Sequence, residues 1–243
     1  MHGDGGTMKI KARIAIFITL MFLIMIAVAA YGASIVGSKH DLKYAYEVGS
    51  GLMKASLNNY GEVCVYCHTP HSANTSIGAP LWNRNASSTT YTVYGSPTMK
   101  TTPSNPPSGI SKACLSCHDG VQAVDAIINA PGSGLNTGGP WYGQSAALYH
   151  FGMKEGANNC GECHTGGAGH DARAAYLGTD LSNDHPISMT YPSTSDFNPS
   201  PDLPLFSGKV ECASCHDPHD PTRGAFLRKS NSGSALCLTC HIK

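Results

Sequence analysis

Hydrophobic residues concentrate in one place along this chain, the apolar run from Ile14 to Ala30, and are thinly scattered after it. Lys9, Lys11 and Arg13 precede the run and Ala30-Tyr31-Gly32-Ala33 follows it, the layout of a secretory signal peptide cleaved after Gly32. A span of 17 residues also reaches the lower limit for crossing a bilayer, so a retained anchor is the alternative. Beyond residue 33 neither the period of 2 expected of strands nor a sustained period of 3.6 recurs. The best helical pattern runs from about Ser111 to Asn129, with Val121, Val124, Ile127 and Ile128 on one side and Ala130-Pro131-Gly132 as its stop. The predicted architecture is mostly irregular, with short α-helices and little β.

Composition sharpens that picture. Gly and Pro together make 42 of 243 residues, above the usual share of about 12%. The chain from 33 to 243 is read as a single domain. It is too short on apolar periodicity to build a conventional core, so something else must organise it.

The cysteines supply that organiser. All ten fall in five copies of Cys-x-x-Cys-His: Cys64, Cys67 and His68; Cys114, Cys117 and His118; Cys160, Cys163 and His164; Cys212, Cys215 and His216; Cys237, Cys240 and His241. Two thiols at this spacing add to the two vinyl groups of one porphyrin, and the following histidine ligates its iron. Zinc ribbons pair two such knuckles per metal, and five do not pair. A thioredoxin-like site would occur once, and disulfides would not require a histidine after every second cysteine. Five covalently attached haems c are expected, at about 42 residues each in a 211-residue mature chain. The haems become the core, helical turns form at the motifs, and the haem-free chain is largely unfolded.

Charge excludes one class of partner. Without the leader the chain carries 13 basic and 15 acidic residues. Two propionates per haem take the oxidised holoprotein to roughly −7 and the reduced form to roughly −12. Nucleic-acid binding is disfavoured, and no membrane contact is expected after cleavage.

Outside the motifs and the leader stand His40, His71, His150, His170, His185 and His219, one spare per haem plus one. This supply points to bis-histidine ligation throughout, with Met53, Met99, Met153 and Met189 as filler. His71 and His219 each follow a motif histidine by three residues, with proline just before them (Thr69-Pro70-His71, Asp217-Pro218-His219). Three residues cannot carry a chain round a porphyrin to its other face, so each should ligate a different, adjacent haem. His40 and His185 are further distal candidates. Of His150 and His170 one is expected to ligate, and His150 is preferred because His170 lies in a glycine-rich stretch. Irons with two protein ligands have no open position, so an electron carrier without substrate chemistry is expected rather than an enzyme. Each motif histidine should give its second ring nitrogen to a carbonyl or water.

Several stretches carry a resemblance: residues 38–42, 64–71, 79–84, 91–99, 114–120, 178–185, 212–219 and 236–241. In these the chain resembles the doubled-CXXCH multihaem cytochromes of metal-reducing bacteria, notably the OmcE-type outer-surface cytochromes that polymerise into nanowire filaments. That type implies four haems, so residues 136–176, with Cys160, Cys163 and His164, look like an insertion carrying a fifth. The resemblance implies a secreted, outer-surface location, a head-to-tail homopolymer, and other cytochromes or extracellular acceptors as partners. It also implies that His40 reaches a neighbouring subunit, at its haem on Cys237 to His241. A monomeric periplasmic carrier is the alternative.

Overall fold

The computed structural model describes residues 34–49, 57–131 and 173–242. The leader, Met53, Met153, His150, His170 and the third motif (Cys160, Cys163, His164) lie outside the described residues. The described residues from Ile35 onward belong to one compact unit. Among the described residues no helix is long and apolar enough to cross a membrane.

Regular structure is scarce, as composition predicts. Helix α1 (Leu42–Val48) starts where Asp41 accepts the backbone N–H of Tyr44 at 2.8 Å. The other Asp41 oxygen takes the N–H of Gly37 at 2.8 Å, across a turn in which Gly37 holds φ +74°. A Lys43–Glu47 pair at 2.9 Å spans one turn of α1, which ends at Gly49. Four further helical pieces coincide with the motifs: a 3-10 turn at Cys64–Tyr66, α2 (Ser111–His118), α3 (Cys212–Cys215) and a 3-10 turn at Cys237–Thr239. Short 3-10 turns at Arg173–Ala175, Gly224–Phe226 and Ser232–Ser234 lie between them. Strand β1 (Thr92–Val93) pairs in parallel with β2 (Asp180–Leu181), Thr92 opposite Asp180. Strand β3 (Met189–Thr190) pairs antiparallel with β4 (Lys209–Val210), Met189 opposite Val210.

The helix expected from Ser111 to Asn129 is corrected: α2 stops at His118. Gly120 takes φ +74°, and Asp119 turns back to accept the N–H of Val121 at 2.9 Å. The carbonyls of Ala123 and Val124, which a helix would use internally, accept instead from the Arg84 guanidinium at 2.8 and 2.7 Å. Val121 and Ile128 end up exposed, so the apolar stripe has no face to cover.

Among the described residues two small apolar clusters stand out. Ile77, Trp82 and Ala113 form one, and Tyr91, Leu115 and Leu181 the other. Much of the rest of the interior is polar. Arg84, wholly buried, adds bonds to the carbonyl and hydroxyl of Ser116 at 2.8 and 3.2 Å. Asn83 ties Val65 to Asn129, donating to both carbonyls and accepting the N–H of Asn129. Asp125 holds the backbone and side chain of Asn58, while Tyr60 donates to the Asp125 carbonyl. Buried polar groups are tolerable because they bond one another.

Candidate haem sites

Each described motif occupies one helical turn, which brings its two cysteines to the same side of the backbone. The N–H of His68 reaches the Cys64 carbonyl at 2.8 Å, and His216 and His241 make the equivalent bond to Cys212 and Cys237 at 3.0 Å. Among the described residues no two cysteines are joined by a disulfide.

Three motifs then use the same second device. A return segment pairs antiparallel with the motif histidine: Trp82 opposite His68, Leu227 opposite His216, Phe197 opposite His241. In each case the residue before the histidine accepts an N–H from the return segment, and the residue after it donates one back. The pairs are Asn83 to Cys67 and Thr69 to Leu81, Arg228 to Cys215 and Asp217 to Phe226, and Asn198 to Cys240 and Ile242 to Asp196, all at 2.8–2.9 Å. Leu81 and Phe226, at matching places, both take positive φ, 52° and 56°. Those turns aim the preceding carbonyls at the imidazoles: Pro80 accepts from His68 Nδ1 at 2.7 Å and Ala225 from His216 Nδ1 at 2.7 Å. In the second motif, where α2 runs on to His118, the Ala175 carbonyl takes Nδ1 at 2.6 Å. These bonds set the tautomer and leave Nε2 free to ligate.

The spare histidines meet the motif histidines in pairs. The rings of His68 and His219 lie 6.1 Å apart at 17°, those of His118 and His40 6.0 Å apart at 80°, and those of His241 and His185 6.4 Å apart at 76°. A metal bonded to an imidazole nitrogen on each side at about 2.0 Å separates the ring centres by roughly 6 Å. His40 Nδ1 is buried without a hydrogen-bond partner, as a ring nitrogen destined for another group would be. Burial, seconded by the neighbouring His118, lowers His40 to about 4 against the pull of the Pro218 carbonyl. Burial lowers His118 too. Both rings are neutral near pH 7, the form that ligates a metal. The donor set and its spacing fit an iron porphyrin held between paired imidazoles.

Within the single chain, His40 is placed beside a motif histidine of that same chain. Asp41 anchors the segment, and the His40 ring is stacked on Phe226 at 4.3 Å and 21°, facing His118 of its own chain. His71 is exposed, and its carbonyl accepts from Thr69 and Asn129. Met189 is buried, in keeping with a filler role, and Met99 is half-buried.

The thiols run in a row. Burial pushes Cys67 up to about 12, with Cys117 the next contributor. The Cys114 thiol shares a hydrogen bond with Cys212, which holds it protonated. Cys215 is raised by burial and then by Cys240, Cys212 and Cys237. Among the described residues, thiols of the first and second motifs, of the second and fourth, and of the fourth and fifth thus lie near one another. Trp82 stands edge-on to His68 at 5.8 Å, and Phe197 lies 4.9 Å from His241. The motif spacing does not foretell these aromatic neighbours, nor the Pro80, Ala175 and Ala225 carbonyls, which have no side-chain signature at all.

A family model described as the doubled CXXCH motif matches residues 204–243, the stretch holding the fourth and fifth motifs. No curated protein matches the chain. The chain is c-type cytochrome-like, and its doubled motif implies covalently bound haem c.

Proposed function

We propose that this chain is an exported electron carrier that passes electrons along five bis-histidine haems c and performs no substrate chemistry. The observation that carries the reading is the set of three motif–spare histidine pairs at 6.0–6.4 Å. When bound, haem c supplies a one-electron iron couple. The chain's residues do the rest. Cys64, Cys67, Cys114, Cys117, Cys160, Cys163, Cys212, Cys215, Cys237 and Cys240 would become thioethers, so the thiol shifts among the described residues belong to the haem-free form alone. His68 with His219, His118 with His40 and His241 with His185 would each hold one haem iron between them, while His164 and His216 would draw on His71 and one of His150 and His170. The carbonyls on Nδ1 orient the motif rings and raise their basicity, which stabilises the oxidised iron. Two protein ligands per iron leave no position for a substrate. Neighbouring thiols from motif to motif keep the sites close enough for rapid hopping.

Resemblance to filament-forming cytochromes suggests a conductive polymer on the cell surface. The enclosure of His40 against His118 favours the alternative, a self-contained carrier whose distal ligands are its own. The test is haem-loaded protein from the medium of expressing cells, assayed for haem per chain, spin state and particle shape. Five low-spin haems in discrete single-chain particles are expected. Fewer haems or a high-spin ferric signal would overturn the bis-histidine reading, and regular filaments would reinstate the polymer.

A further inference from the structure

Glu211 is a buried carboxylate in an unusual place, immediately before the fourth motif, and only 2% exposed. One of its oxygens accepts from the hydroxyls of Ser111 and Ser188, the latter at 2.9 Å. The same side chain caps α3 by accepting the N–H of Ser214, whose hydroxyl takes the Glu211 N–H at 3.0 Å. Ser111 opens α2, the helix carrying Cys114, Cys117 and His118, and its hydroxyl also accepts the N–H of Cys212 at 3.0 Å. Glu211 therefore sits at the seam between the second and fourth motifs, where the Cys114 and Cys212 thiols meet.

Every partner of the Glu211 side chain is a donor, the arrangement of an ionised carboxylate. Among the described residues no cation stands within ion-pair distance of it. Lys209 spends its ammonium on the hydroxyls of Ser104 and Ser108 at 3.3 and 3.2 Å. The nearer acids of the fourth and fifth motifs are treated differently: Asp217 pairs with Arg228 and Asp202 with Lys229, both at 2.9 Å. The other buried carboxylate by these motifs, Asp119, accepts from Tyr91 at 2.7 Å and follows His118 directly. Capping alone does not explain Glu211, because Ser, Thr or Asn caps a helix with no buried charge. Gly109 shows how closely the chain is fitted round it: with φ +56°, a Cβ there would lie 3.0 Å from the other Glu211 oxygen.

We propose that Glu211 is a potential-setting residue, whose buried charge lowers the reduction potentials of the haems held by the second and fourth motifs. The inference rests on the electron-carrier reading. A fixed negative charge in a low-dielectric interior disfavours adding an electron nearby, and ions in solution screen it little. Each iron takes one electron, so the effect reads directly as a displaced midpoint. The haems of the second and fourth motifs would then be harder to reduce than they are without that charge, which shapes where electrons rest.

The test is a spectroscopic redox titration of the full-length, haem-loaded protein, at low and high salt, for wild type, Glu211→Gln and Ser188→Ala. Haem content is measured first. Glu211→Gln is expected to move two midpoints upward, at both salt levels, with the low-spin spectrum intact. Ser188→Ala removes a donor but keeps the charge, so it should move the same two midpoints downward. Unchanged midpoints in Glu211→Gln, or an upward shift shared by both variants, would reduce Glu211 to a packing role. If Glu211→Gln does not mature, Ser188→Ala decides alone: no shift or an upward one overturns the inference. A wild-type chain without haem would sink the carrier reading itself, whereas loaded protein with unmoved midpoints sinks only this inference.

Discussion

Arg84 shows how a single side chain can replace an element of structure. It lies within Ala79-Pro80-Leu81-Trp82-Asn83-Arg84, and nothing in the local pattern marks it as buried. Yet its guanidinium closes the segment after α2 by bonding Ser116, Ala123 and Val124. A planar fork of five donors suits three carbonyls converging from one loop, and an ammonium does not. Arg84→Met should therefore destabilise the haem-loaded protein by about 3 kcal/mol, as the lower end of ~1–3 kcal/mol for each stranded carbonyl. A shifted guanidinium midpoint with an unchanged slope would measure this. An unshifted midpoint would mean that water replaces the guanidinium without loss.

Among the elements, α1 is the one with a functional consequence out of proportion to its length. Its seven residues bury nothing, and its fixed point is Asp41, which binds the N–H groups of Gly37 and Tyr44. His40 is the adjacent residue, so the cap also holds the partner of His118. Asp41→Ala should cost about 1–2 kcal/mol in lost capping. It should also convert part of one haem's ferric signal from low to high spin, read by electron paramagnetic resonance. A loss of stability without any spin change would separate the cap from the ligand. The return segments at Trp82, Leu227 and Phe197 belong to this scale too: each is an isolated bridge that makes sense only as a support for its motif histidine.

At the scale of the whole molecule, the apolar clusters among the described residues are small, three buried residues each, too little to hold together a chain of this length. Covalent attachment and ligation must supply what a core would. A chain with the motif cysteines replaced by alanine, which cannot retain haem, should therefore show no cooperative thermal transition by circular dichroism, whereas the loaded protein should melt cooperatively. A sharp transition in the cysteine-free chain would show that the polar network around Arg84, Asn83 and Asp125 suffices by itself.

The local chemistry of Cys-x-x-Cys-His, complete within one helical turn, told the kind of cofactor, the positions of the motif turns and the scarcity of regular structure. Proline geometry was enough to predict that His219 turns away from the motif histidine beside it, and its ring does stand by His68. The path of the loops decided the rest. His40 meets His118 across 78 positions, a matter of where Asp41 and the distant Phe226 hold the chain, and the local sequence does not name its partner. The apolar pattern after Gly120 read as helix because periodicity cannot see that Arg84 claims its carbonyls. Carbonyls of Pro80, Ala175 and Ala225 became ring partners through backbone turns alone. Sequence by itself determined which groups can bind haem, since that depends on side chains a few bonds apart. Only tertiary structure decided which of them face each other, since that depends on backbone paths whose hydrogen bonds carry no residue identity.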